Sequence, residues 1–179
     1  MKSHVVGHDE NVIGAAVLLV ADRIRDAVEP VSGTSGASAA ALTALLAWAS
    51  GAHVDALAAG LRLSHSRAVR VVDALERDGL AVRSPDRTDA RRALVRLTQR
   101  GRVTAERILA ARAAALHEVL DALSDEQRDA LADSGAAILR GAAVTRAEAR
   151  AICRLCDVVA CGHHDGACPS TAGADARQA

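Results

Sequence analysis

Apolar positions along the chain recur mostly at helical spacings, and short alternating runs stand out around residues 80 to 98. Residues 11 to 28 place Val12, Ala15, Ala16, Leu19, Ala21 and Ile24 at mixed helical spacings, with Arg23, Arg25 and Asp26 gathered near the end, which predicts an amphipathic helix. "EPVSGTSGAS" breaks the pattern with Pro30, Gly33 and Gly36 and reads as a mobile connector. Helix resumes near Ser38 and runs through Leu42, Leu45, Leu46 and Trp48 until Gly51 stops it, with Trp48 expected in core packing rather than as a ligand platform. Two short helices follow, about 54 to 61 and 65 to 78, separated by "RLS", where Ser64 is a good N-cap for the second. In that second helix Ala68, Val71, Val72 and Leu75 share one face, while Arg67, Arg70, Ala74 and Arg77 share another. Gly79 ends it, and "LAVRS" and "RALVRLT" form two alternating strands joined by the polar turn "PDRTDAR".

A long helical pattern runs from Gly101 to Leu123, with Ile108, Leu109, Leu116, Val119 and Leu120 at core spacing. The capping signature Ser124 to Gln127 opens another, running through Leu131, Ile138 and Leu139 into the 140s and reaching the first cysteines near its end. Two such helices are too long for the small centre to cover, so their apolar stripes are expected to meet a second copy of the chain.

Composition sharpens this picture. Half of the 179 residues are apolar, chiefly Ala, Leu and Val, with Trp48 the sole aromatic, which favours close-packed helices over a β-sandwich. No run of about 18 uncharged apolar residues occurs, and Val12 to Ala21 follows His8, Asp9 and Glu10 rather than a basic segment, so a cytoplasmic protein without a membrane span is expected. A formal net charge of zero hides an asymmetry: Arg62 to Arg102 holds eleven arginines against Asp73, Glu76, Asp78, Asp86 and Asp89. A basic middle between acidic arms points to a local polyanion site.

Helix, turn, second helix and charged hairpin in immediate succession make a winged helix-turn-helix. The run "HVDALAAGLRLSHSRAVRVVDALERDGLAVRSPDRTDARRALVRLTQRG", residues 53 to 101, resembles the MarR family of bacterial regulators. Its wing carries the most specific features of the likeness: Arg83, Asp86, Asp89, Arg91, Arg92, Leu97, Thr98 and Gly101. The flanking helices match that family's dimerisation arms, so the resemblance spans about residues 10 to 150 and leaves out the cysteine-rich tail. It implies a homodimeric transcriptional regulator, commonly a repressor, on double-stranded DNA.

The physics of the motif agrees. A helix of this size fits the major groove, and its N-terminal residues reach base edges, which selects Ser64, His65, Ser66, Arg67 and Arg70. Arg83 and the wing residues Arg87, Arg91 and Arg92 would lie over the backbone or enter an adjacent minor groove, while Asp89 pairs with a neighbouring arginine to hold the wing's shape. Two such helices about a two-fold axis read a near-palindromic operator. Single-stranded nucleic acid needs stacked aromatic rings that this chain lacks.

"CRLCDVVACGHHDGACP", residues 153 to 169, holds all four cysteines. Cys153, Cys156, Cys161 and Cys168 could enclose a tetrahedral Zn²⁺ or an iron-sulfur cluster, and the spacing does not choose between them. His163 or His164 could replace a cysteine, although such a pair is more often solvent-facing, and a metal-free thiol switch is the third reading. Metalloenzyme signatures are absent, so no catalysis is expected.

The expected fold is mainly α with a small β-hairpin: a winged helix-turn-helix domain with N- and C-terminal dimerisation helices. Residues 1–37 form the N-terminal dimerisation helix and linker, 38–101 the DNA-binding domain, 102–152 the C-terminal dimerisation helices, 153–169 the metal or redox site and 170–179 a disordered tail. A metal or redox event could shift the dimerisation helices, or a small molecule between arms and winged domain could be the signal while the cysteines only staple the tail.

Overall fold

The computed structural model describes residues 7–33, 36–86 and 93–178. Helix α1 spans His8–Ser32 and α2 Gly36–Ala47; the short strand β1, Ala52–His53, leads into α3, Val54–Leu61, and α4, His65–Arg77. Strands β2, Ala81–Pro85, and β3, Ala93–Leu97, form the wing, followed by α5, Gln99–Leu120, α6, Asp125–Ala142, α7, Arg146–Ile152, and α8, Pro169–Ala176. The chain is therefore mainly helical, with one small antiparallel sheet in the order β1-β3-β2.

The expected winged helix-turn-helix is present, with boundaries for α3 and α4 close to those read from apolar spacing. Leu42, Leu45, Leu57, Val72, Leu75, Val95 and Ile108 are fully buried, so the core lies where α2, α3, α4, the sheet and α5 meet. Gly101 lets α5 start against the wing: a Cβ there would stand 1.8 Å from the Leu80 carbonyl oxygen. Thr98 locks the same corner, its hydroxyl donating to the Gly79 carbonyl at 2.8 Å and accepting from the Gly101 N–H at 3.0 Å.

Three expectations are corrected, and one strand is added to the expected hairpin. The connector read at "EPVSGTSGAS" is helix on both sides: α1 continues through Pro30 to Ser32 and ends at Gly33 in the left-handed region (φ 60), and α2 starts at Gly36. A third strand, β1, pairs with β3 through Ala52↔Val95 and His53↔Leu94; two residues are too few to leave an alternating signature. The final long helix does not reach the cysteines. It breaks at Ala143, which turns extended (ψ 128), and the capping box of Thr145 and Glu148 starts α7 as a separate helix.

The tail read as disordered is helical over Pro169–Ala176. Helix α8 packs on α6 so closely that a Cβ on Gly173 would stand 2.2 Å from the Arg140 carbonyl oxygen. Arg177 then donates to the carbonyls of Arg140, Gly141 and Ala143 at 2.9, 3.0 and 2.7 Å, satisfying acceptors that the end of α6 leaves without helical partners. Small residues and one arginine achieve this with no apolar stripe to announce it.

Trp48 is half-buried against the core, as expected of a packing residue, with Gly60 of α3 beneath it and the Arg150 guanidinium 5.1 Å from its ring centroid. Among the described residues no helix is long and apolar enough to cross a membrane.

Candidate functional site

Helix α4 begins where the Ser64 hydroxyl accepts the Arg67 N–H at 3.3 Å. Ala68, Val71, Val72 and Leu75 anchor it in the core, so the opposite face must point out: Ser64, His65, Ser66, Arg67 and Arg70 are all exposed. His65 meets Asp55 of α3 with Nδ1 2.6 Å from Oδ1, and Arg70 donates from Nε to the Ser66 carbonyl at 3.4 Å. Arg67 pairs with no side chain among the described residues. The leading end of α4 is thus an outward polar and basic surface held on a rigid helix.

The wing residues divide. Arg83 does not extend outward with the others. Its guanidinium is spent on α4, with Nη2 2.7 Å from Asp73 Oδ1 and Nη1 on the Glu76 carboxylate, while its backbone N–H donates to Glu76 Oε1 at 2.7 Å. Arg83 therefore fastens β2 to the helix, a role that a count of positive charges does not reveal. Arg87, Asp89, Arg91 and Arg92 lie outside the described residues.

A second wing contact has no counterpart in the sequence reading. His53 of β1 sets Nε2 3.0 Å from Asp86 Oδ2 and Nδ1 3.3 Å from the Ala93 carbonyl, spanning both edges of the hairpin base. Asp86 is recognisable in the sequence as a wing residue; only the pairing of β1 brings His53 to it.

The cysteines converge at the other end of α3. Cys153 caps α7, Cys168 precedes α8, and Cys156 and Cys161 sit on the turns between them; all four are free thiols. Together with Trp48 and His163 they line one enclosed cavity of about 30 Å³. His163 is held by Thr171, Nδ1 to Oγ1 3.4 Å, whereas His164 is exposed. Among the described residues, no three His, Cys, Asp or Glu side chains stand in the geometry of metal ligands.

The thiols differ electrostatically. A hydrogen bond with Cys153, and then the charges of Arg112 and Arg154, bring Cys156 down to about 6, whereas that same bond and burial push Cys153 well up. Burial raises Cys168, but hydrogen bonds from Thr171, His163 and the Ser170 backbone outweigh it and leave the thiol at about 7. Burial also raises Cys161.

Cys156 borders a second, larger cavity of about 470 Å³ between α1, α2, α5 and α7. Ile24, Val28, Ala39 and Leu155 give it apolar walls, and Arg25, Arg112 and Arg154 give it positive charge against one carboxylate, Glu29.

No family model and no curated relative matches the chain. Solved structures do. A MarR-family transcriptional regulator from a Rhodococcus species is 26% identical, with 76% of this chain and 96% of that one covered and a TM-score of 0.59. CouR from Rhodococcus jostii, solved with p-coumaroyl-CoA bound, is 25% identical over 76% of this chain and 95% of its own, with a TM-score of 0.58. A mutant MepR from S. aureus, solved bound to an oligodeoxyribonucleotide, shares the fold at 18% identity, 76% and 99% coverage and a TM-score of 0.59. The MarR resemblance read from the wing is borne out: the chain has the fold of MarR-type winged-helix regulators.

Proposed function

We propose that this chain, built as MarR-type regulators are, is a sequence-specific regulator of transcription that binds double-stranded DNA as a homodimer, and acts as a repressor. The observation that carries the reading is the exposed leading end of α4, Ser64 to Arg70, on a helix whose other face is buried. Arg67 has the reach and the paired donors to read a guanine edge, and Ser64, His65 and Ser66 can hold phosphate or bases. Regulation, not catalysis, is the activity.

The homodimer is supported by apolar surface that a single chain leaves in water. Val12, Ile13, Val17, Leu18 and Leu19 of α1 are 49 to 66% exposed, and α6 has no buried residue while presenting Leu131 and Ile138. Apolar residues gathered in this way on long terminal helices mark an interface. A two-fold pair presents two α4 helices to a near-palindromic operator.

The 470 Å³ cavity lies within the usual range of ligand sites, and its apolar walls with three arginines against one glutamate suit an amphipathic organic anion as effector. In this reading the cysteines tie the C-terminal segment to the DNA-binding domain.

Fluorescence anisotropy of the full chain on DNA from its own upstream region tests the proposal. Binding should saturate at one dimer per site and weaken steeply with salt. Arg67→Ala should cost about 1–3 kcal/mol on the specific site and little on unrelated DNA. Salt-independent binding, or equal loss on every sequence, would overturn it.

A further inference from the structure

The segment between α7 and α8 contains neither helix nor strand, and a stretch of that length inside a folded chain needs a reason. Apolar burial supplies little of one: Val159 is 76% exposed, and Leu155 is only partly buried where it packs on the main core. Yet turns bring every thiol of the chain to one cavity. Cys156 N–H donates to the Cys153 carbonyl at 3.0 Å, and Gly162, in the left-handed region (φ 62), closes the Cys161 turn so tightly that a Cβ would stand 2.9 Å from that of Ala167. Small units without enough core are commonly stapled by metal or disulfide, and these thiols form no disulfide.

A second observation points the same way. The fully buried Ser170 hydroxyl finds no oxygen or nitrogen partner among the described residues and faces the Cys153 sulfur, so that sulfur is held inside the structure.

From these features we infer that Cys153, Cys156, Cys161 and Cys168 bind a single zinc ion. Size decides between the metals. A cavity of about 30 Å³ holds one or two water-sized bodies, enough for one ion with sulfurs at about 2.3 Å but not for the irons and sulfides of a cubane cluster. Four thiolates around Zn²⁺ leave a net negative centre, and Arg112, Arg150 and Arg154 surround it. Binding draws the sulfurs inward; Cys161, for example, exchanges its contact with the Val158 carbonyl, 3.6 Å away, for the ion. The protons of the four thiols leave to solvent. His163, held by Thr171, borders the site without joining it.

The position gives the ion a consequence. Thr43 of α2 donates to the Arg154 carbonyl at 2.6 Å, and Arg150 lies over Trp48, which rests on Gly60 of α3. Zinc therefore clamps the C-terminal segment onto the back of the helix-turn-helix.

The test uses the full chain without DNA, so its failure and failure of the DNA-binding reading are separable. Metal analysis should find one zinc per chain, with the four thiols unreactive toward a thiol reagent until a chelator is added. Cobalt added to the stripped chain should give an intense thiolate-to-metal band with the visible bands of tetrahedral coordination. Cys161→Ser should lower the thiolate band by about a quarter, and His163→Ala should leave it unchanged. Should Cys161→Ser fail to fold, the wild-type cobalt spectrum still decides. Stoichiometric iron with acid-labile sulfide, four freely reactive thiols in a metal-free chain, or an octahedral cobalt spectrum would each overturn the assignment.

Discussion

The Arg83 guanidinium, on the first wing strand, lies 2.7 Å from the Asp73 carboxylate on α4. A residue that reads from the sequence as one more DNA-facing arginine is the strut that sets the wing against α4. Arg83→Ala should strand the Asp73 and Glu76 charges close to DNA and loosen the wing. DNA affinity should fall at least tenfold while unfolding free energy drops by only about 1 kcal/mol, because the pair is partly exposed. Anisotropy and urea denaturation of the same sample check this; a variant losing stability and affinity in proportion would refute the strut.

Gly101 should be intolerant of a side chain. The Leu80 carbonyl that a Cβ would strike is backbone and cannot swing away. Gly101→Ala should cost about 2–4 kcal/mol in urea unfolding, a large effect for one methyl group.

The capping box that starts α7 should be acid-sensitive. Hydrogen bonds from the backbone N–H groups of Val144 and Thr145, at 2.8 and 3.0 Å, hold the Glu148 carboxyl below its ordinary 4.5. A depressed carboxylate contributes its stabilisation above the unfolded value and loses it as pH falls through the folded one. The protection of the Val144 and Thr145 amides against exchange, relative to their intrinsic rates and followed by NMR, should therefore fall on acidification only below pH 4.5. Glu148→Ala should show low protection at every pH.

Removing Arg177 should fray α6 rather than unfold the chain. Three carbonyls at the end of that helix lose a charged donor, an exposed arrangement worth about 1 kcal/mol. Hydrogen exchange in Arg177→Ala should rise over the last turn of α6 and leave α2 and α3 unchanged.

Leu18, 66% exposed on α1, should matter only to the assembly. Leu18→Glu should yield a folded monomer by light scattering, with circular dichroism unchanged and operator affinity lost.

Periodicity alone determined the helix-turn-helix, because one face of α4 is apolar at helical spacing and the other is not. The wing was equally legible, since alternation around a polar turn admits few alternatives. Tertiary structure decided the rest, where the determining contacts join residues far apart in the chain. Arg83 faces carboxylates on a neighbouring element, His53 reaches Asp86 only once β1 pairs with β3, and α8 is held by α6 carbonyls that no local pattern announces. Four cysteines are visible as a cluster in one dimension; that they line one cavity follows from how turns, α7 and Trp48 pack in three.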